Sequence, residues 1–235
     1  MEKITIAIDG YAGCGKSTTA KGVAKELGYI YIDTGAMYRA VSLYFTQKRI
    51  DFYQDTDVLL NAVKEIQIDF VRDPQTGENL TRLNGQVVES EIRKPQISNI
   101  VSLVSIHASV REAMVAQQRQ MGHAKGVVLD GRDIGTVVFP DAELKVFMTA
   151  EMEVRAGRRL AELQQKGVAT TLEEVIENLK ERDRIDTTRK IAPLKQAADS
   201  IVLDTTDLVI DQQIALVSQW AKQRMHNFQQ NEHRN

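Results

Sequence analysis

The chain has 235 residues, 43% of them hydrophobic, with 30 lysines and arginines against 32 aspartates and glutamates, a formal charge of −2. That length suits one α/β domain with an insertion and a sizeable core, and the near-neutral charge offers no argument for a nucleic-acid or membrane-surface partner. A single cysteine, Cys14, excludes an internal disulfide and a cysteine-based zinc site, and no run of about 18 apolar residues reads as a membrane span.

Residues 1–3 lead straight into a strand without a signal-peptide pattern, so a reducing cytoplasm is the expected compartment. Residues 3–8 (KITIAI) are a short β-branched run of the kind a buried parallel strand needs. Then Gly10, Tyr11, Ala12, Gly13, Cys14, Gly15, Lys16, Ser17 and Thr18 fit the pattern G-x-x-x-x-G-K-[ST]. Residues 17–27 read as a helix closed by Gly28. Strand, glycine loop and helix together predict a cradle for a nucleoside triphosphate, because backbone N–H groups at a helix N-terminus favour anions. In such a loop Lys16 reaches the β- and γ-phosphates and the Ser17 hydroxyl binds magnesium.

A second strand over 29–32 ends at Asp33, with Thr34 as N-cap of the helix carrying Tyr38 and Arg39. Asp33 reads either as a magnesium carboxylate or as a capping residue, and Arg39 either as a phosphate ligand or as solvated charge. From residue 57 the pattern changes: a helix over 57–65, then strands over 66–71, 79–83 and 86–89. A Pro/Gly turn separates the first two, and Asn84-Gly85 is a two-residue hairpin signal between the last two. This three-stranded antiparallel unit is read as an insertion over 61–95, in a core formed by 1–60 and 96–225. Helices follow over 96–104 and 108–121, carrying Ser102 and Arg111, with Gly122 as the stop.

Residues 126–129 form a buried strand running into Asp130-Gly131-Arg132-Asp133. Ligands of open parallel sheets bind beyond strand C-termini, so these charges stand at the expected edge, unless they are a solvated turn. A core strand follows over 144–148, and then an arginine-dense half. Arg155, Arg158 and Arg159 share one helix face, and a capping box at Thr171 and Glu174 opens a helix with Arg182, Asp183, Arg184 and Asp186, followed by Arg189. The density fits solvated charge as well as phosphoryl transfer, which needs spreading negative charge neutralised. A final strand pair is expected over 200–203 and 208–210, then a closing helix over 211–224 with Trp220 inward and a polar tail over 226–235.

Four words carry a family resemblance: Asp-Thr-Gly-Ala-Met-Tyr-Arg (33–39), Asp-Gly-Arg-Asp-Ile-Gly-Thr-Val-Val-Phe-Pro-Asp (130–141), Glu-Arg-Asp-Arg-Ile-Asp (181–186) and Ala-Pro-Leu (192–194). With the phosphate loop and the hairpin insert, they make the chain resemble the bacterial-type cytidylate kinases, of the nucleoside monophosphate kinase group of P-loop folds. The resemblance implies a parallel sheet flanked by helices, an inserted antiparallel acceptor-binding subdomain, and a short lid over about 151–167. It implies transfer of the γ-phosphoryl group of ATP to CMP or dCMP with Mg2+, in pyrimidine nucleotide metabolism, by a cytoplasmic monomer without nucleic-acid or membrane partners.

By the same resemblance, Ser102, Arg111 and Asp133 read the cytosine. Thr34, Tyr38, Arg39 and Arg132 line the monophosphate and base pocket, and Arg182, Asp186 and Arg189 contact sugar and phosphate. Arg155, Arg158 and Arg159 belong to the lid over ATP. The expected catalytic set is Lys16, Arg132, Arg158 and Arg189, and the expected magnesium residues are Ser17, Asp33 and Asp130. Lys16→Ala and Arg189→Ala are each expected to abolish most turnover with the fold intact. A GTPase-like switch lacks its N-K-x-D and D-x-x-G words here, and a shikimate-like kinase has no use for the hairpin insert; a UMP or AMP kinase is the nearer rival.

Overall fold

The computed structural model describes residues 2–53 and 56–232, with side chains through 227. In chain order the elements are β1 (Thr5–Gly10), α1 (Lys16–Leu27), β2 (Ile30–Asp33), α2 (Thr34–Lys48) and α3 (Asp57–Lys64). Then come β3 (Ile68–Arg72), β4 (Asn79–Leu83), β5 (Gln86–Val87), α4 (Glu89–Ile92), α5 (Pro95–Val104) and α6 (Ala108–Gly122). The last are β6 (Val127–Gly131), a single π-helical turn (Ile134–Val138), β7 (Leu144–Thr149), α7 (Met152–Gln165), α8 (Leu172–Thr188), β8 (Ile201–Asp204) and α9 (Ile210–Glu232). They group into two compact units, Met1–Tyr31 with Ala124–Asn235, and Ile32–His123.

The first unit is built on a five-stranded sheet in the order β2-β6-β1-β7-β8, with β1 parallel to both β6 and β7 and β7 parallel to β8. β1 is central and buried along its whole length, which is why its residues 6–8 are a continuous apolar run rather than an alternating one. Ile4, Ile6 and Ile8 pack with Val23, Val128, Val146, Met148, Leu203 and Val217 in one core, with Trp220 partly buried against it. Gly28 closes α1 in the left-handed conformation, φ 67°, its N–H returning to the carbonyls of Ala24 and Lys25.

The C-terminal part departs from expectation. Residues 208–210 are not a strand: the Leu208 carbonyl accepts from Gln213 and Arg158 side chains, leaving nothing for a strand neighbour. α9 begins at Ile210 and continues past residue 224 into the stretch expected as a polar tail; residues 233–235 lie outside the described residues.

The second unit holds the antiparallel sheet β3-β4-β5 together with α2 and α3–α6. Asn84 and Gly85 both take positive φ, 49° and 81°, as a type I′ hairpin turn requires. The return strand is shorter than its sequence suggests. Glu89 turns its carboxylate onto the Thr81 N–H and hydroxyl, 3.0 and 2.7 Å, and starts α4. α6 includes Gly122, and the left-handed step comes later, at Lys125 and Gly126. Among the described residues, no helix is long and apolar enough to cross a membrane.

Candidate active site

The phosphate loop joins the C-terminal end of β1 to the first turn of α1. Gly10 is required sterically: at φ 147° an added Cβ would stand 2.0 Å from the Met148 carbonyl oxygen. Gly15, at φ 91°, turns the chain into α1 and offers no side-chain cap, so the first N–H groups of the helix face the loop. Lys16 is buried, with its ammonium on the Tyr11 carbonyl across the loop at 2.5 Å. Burial, then the Arg132 guanidinium, holds its pKa below the ordinary lysine value. Cys14 is a free thiol packed in the core, its Sγ donating to the Tyr11 carbonyl at 2.9 Å.

The loop is buttressed from α7. Arg155 is 6% exposed, donates to the carbonyls of Ala12 (3.2 Å) and Ala150 (3.0 Å) and to Asp183 (2.7 Å), and lies over the Tyr11 ring. Arg158 reaches instead to the Thr205 carbonyl and hydroxyl, 2.6 and 3.1 Å, and Thr205 in turn donates to the Cys14 carbonyl. Arg159 pairs with Glu162. The three arginines that sequence spacing groups on one helix face therefore have three separate sets of partners.

At the C-terminal end of β6, Asp130 accepts the Ser17 hydroxyl at 2.8 Å and the Tyr31 hydroxyl at 2.7 Å. A hydroxyl and a carboxylate oxygen side by side at the start of α1 form a hard-oxygen pair. That suits magnesium, which takes one or two protein ligands and completes its shell with water and substrate phosphates. Among the described residues no group of three or more His, Cys, Asp or Glu forms a self-sufficient metal cage.

Beyond Asp130 the chain carries Arg132 and Asp133 into the π-helical turn. Arg132 donates to Asp186 on α8 at 2.8 Å, and Arg189 lies 3.5 Å from Asp133 and 3.7 Å from Asp186. Burial alone would raise the Asp186 pKa, but Arg132, Arg189 and Arg182 outweigh it and hold the carboxyl below the usual range. The Ala-Pro-Leu word has a local purpose: Ala192, at φ 47°, accepts from Arg189 Nε at 2.8 Å, and the Leu194 N–H returns to the Asp186 carbonyl.

The remaining candidates stand in the second unit. Asp33, not Thr34, caps α2, its Oδ1 accepting the Ala36 N–H at 2.7 Å, while Thr34 is the first helical residue. The same carboxylate pairs with Arg93 at 2.8 Å and Arg39 at 3.5 Å. Burial opposes its ionised form, yet the two arginines and the hydrogen bonds bring its pKa down to about 2. A depressed carboxyl contributes stability that is present above the unfolded value and lost as pH falls through the folded one. For Asp33 that is about 2 kcal/mol, lost between about pH 4 and pH 2. Acid melts of wild type and Asp33→Asn should therefore differ in slope in that window; equal slopes would refute the pairing. Arg111 lies over the Tyr38 ring, 5.6 Å to its centroid, and donates to the Ser105 carbonyl; Ser102 is buried on α5.

Asp9, Tyr31, Arg93 and Thr205 are contacts that sequence reading missed. Only Asp9 left a signal, a charge at the end of an apolar strand. It is 5% exposed, accepts the Ile134 and Gly135 N–H groups, and has its pKa pushed up to about 7 by burial.

The chain has known relatives. The family model of cytidylate kinase matches residues 6–223. A cytidylate kinase of Bacteroides fragilis (strain ATCC 25285) is 57% identical over 216 residues, covering 91% of this chain and 94% of that protein. One from Cytophaga hutchinsonii is 48% identical over 231 residues, 98% of each. Among solved structures, a gluconokinase from Sinorhizobium meliloti 1021 aligns over 97% of both chains with a TM-score of 0.51 at 12% identity, a likeness of fold alone. With the phosphate loop, the antiparallel hairpin unit and the Arg132–Asp186–Arg189 network all falling inside the matched span, the chain belongs to the cytidylate kinase family.

Proposed function

We propose that this nucleoside monophosphate kinase transfers the γ-phosphoryl group of ATP to CMP or dCMP, giving ADP and CDP or dCDP. The observation that carries the reading is identity of up to 57% with cytidylate kinases across nine-tenths of the chain, in a protein whose phosphate loop shares a unit with a buried arginine–aspartate network.

The loop N–H groups of residues 10–18 hold the triphosphate, and Lys16 serves its β- and γ-phosphates. Ser17 and Asp130 hold magnesium, which when bound neutralises charge on the phosphates; the oxygens of Asp33 are engaged by Ala36 and two arginines. Arg132, Arg182 and Arg189 serve the acceptor's phosphate and sugar, Asp186 accepts from ribose hydroxyls, and Asp133, Ser102 and Arg111 read the cytosine. Thr34, Tyr38 and Arg39 also serve the acceptor, with the 61–95 insertion as the acceptor-binding subdomain.

A CMP phosphate oxygen attacks the γ-phosphorus. The bond from γ-phosphorus to the β,γ-bridging oxygen breaks, and ADP leaves with the electron pair. The attacking oxygen is already ionised near neutral pH, so no general base is needed, and catalysis comes from in-line positioning and charge stabilisation by Lys16, Arg132, Arg158 and Arg189. Closure of the 151–167 segment over ATP excludes water from the transferring group. The same reading makes the enzyme a cytoplasmic monomer acting on free nucleotides.

A coupled ADP-release assay across CMP, dCMP, UMP, AMP and shikimate tests this. CMP and dCMP are expected to be the best acceptors; turnover of AMP without CMP would overturn the reading.

A further inference from the structure

We propose that Asp9 is a positioning residue for the acceptor: from the strand that leads into the phosphate loop, its carboxylate fixes the start of the turn that directly follows Arg132 and Asp133. The inference rests on the acceptor reading given above.

A helical turn begins with N–H groups that have no partner within it, and a side chain at the N-cap ordinarily accepts from them. Here the N-cap position is Asp133, and its side chain makes no capping bond. It stands 3.5 Å from Arg189 instead. The orphan donors are served from elsewhere. Asp9 Oδ1 accepts the Ile134 N–H at 2.8 Å and Oδ2 accepts the Gly135 N–H at 2.7 Å, across 125 and 126 residues of chain. One carboxylate thus caps the turn from a neighbouring strand and releases Asp133 for other work.

Gly135 fits the same arrangement. A Cβ there would press on the Lys145 side chain at 3.2 Å and reach ordinary contact with Asp9 Oδ2 at 3.4 Å, so the glycine leaves room beside the carboxylate that caps the turn. Asp9 also sits one residue before Gly10, on the rigid central strand. It therefore references the acceptor-side residues Arg132 and Asp133 to the same strand from which the donor loop springs. Errors of about 1 Å in such placement cost about 100-fold in rate.

Two Asp9 substitutions grade the effect. Asp9→Asn keeps the volume and one acceptor but opposes its NH2 to the second N–H; Asp9→Ala removes both acceptors. We expect KM for CMP to rise about tenfold in Asp9→Asn and further in Asp9→Ala, with KM for ATP within about twofold of wild type. Amide hydrogen exchange over residues 134–138 should accelerate in the same order. Gly135→Ala, whose Cβ would press on the Lys145 side chain beside the carboxylate, should raise KM for CMP in the same direction. It carries the test should the Asp9 variants not fold.

Asp133→Ala separates the two ways of failing. If it raises KM for CMP while the Asp9 and Gly135 variants do not, Asp9 is merely structural and the acceptor reading stands. If neither Asp133→Ala nor the Asp9 variants change KM for CMP, the acceptor reading falls and takes this inference with it. Equal losses for ATP and CMP, or unchanged exchange at 134–138, also overturn the proposal.

Discussion

Lys16→Met is expected to lower kcat about 1,000-fold while leaving the melting temperature unchanged or raised. The loss follows from the chemistry: phosphoryl transfer offers the protein little to do except position groups and stabilise charge, and one well-placed donor of that kind supplies about 2.7–4 kcal/mol. The stability side follows from burial. Lys16 is 6% exposed, and burial and the nearby Arg132 both work against its charged form. A lysine whose folded pKa lies below its unfolded value costs stability at every pH where it is charged, and that cost disappears as pH rises through the folded value towards 10.5. Methionine keeps the length of the chain and removes the charge. The Tyr11 carbonyl still accepts from the Cys14 thiol. The gain in melting temperature should therefore be largest near neutral pH and vanish towards pH 10.5. A coupled assay and thermal melts from pH 7 to 10 measure both; a variant within tenfold of wild-type kcat would remove Lys16 from the catalytic set.

The phosphate loop could be read at once because its constraint is local. Gly10, Gly15, Lys16 and Ser17 have a fixed spacing set by one strand, one turn and one helix, and each requirement is visible in a few neighbouring letters. The hairpin at Asn84-Gly85 was legible for the same reason, since both residues take left-handed φ. What failed was decided by side chains reaching over distance. Residues 86–89 look like a full strand, but Glu89 is drawn off to Thr81; residues 208–210 look like another, but Gln213 and Arg158 claim the carbonyl of Leu208. Thr34 reads as an N-cap and Asp33 as a cap only in the alternative, yet Asp33 takes the position, with two arginines to hold its carboxylate ionised. Asp9, 125 residues from the N–H it accepts, had no partner that sequence spacing could have supplied.

Asp186→Ala is the substitution for which structure and chemistry predict loss on both counts. Asp186 is 5% exposed and is held by Arg132 at 2.8 Å and Arg189 at 3.7 Å. Removing it takes a carboxylate partner from two guanidinium groups with side chains 19% and 3% exposed. Breaking a buried ion pair from one side typically costs about 3–5 kcal/mol, because the abandoned charge stays buried. For a chain of this size that is a fall of about 10 °C in melting temperature. The same reasoning changes the expectation for Arg189→Ala, which sequence alone suggested would leave the fold intact. Arg189 holds Asp133, Asp186 and the Ala192 carbonyl, so its loss should lower stability as well as turnover. Asp186→Asn separates charge from shape. It keeps the volume and one acceptor oxygen for Arg132, so its melting temperature should fall by less than that of the alanine variant. In the wild type the depressed Asp186 carboxyl contributes stability above the unfolded value of 3.8 that is lost as pH falls through the folded one. That acid-side loss should be smaller in both variants. For turnover, both should lower kcat/KM for CMP about 100-fold, since the guanidinium groups that meet the acceptor's phosphate are no longer aimed. Should Asp186→Ala melt within about 2 °C of wild type, the network is not buried tightly enough to act as the scaffold described.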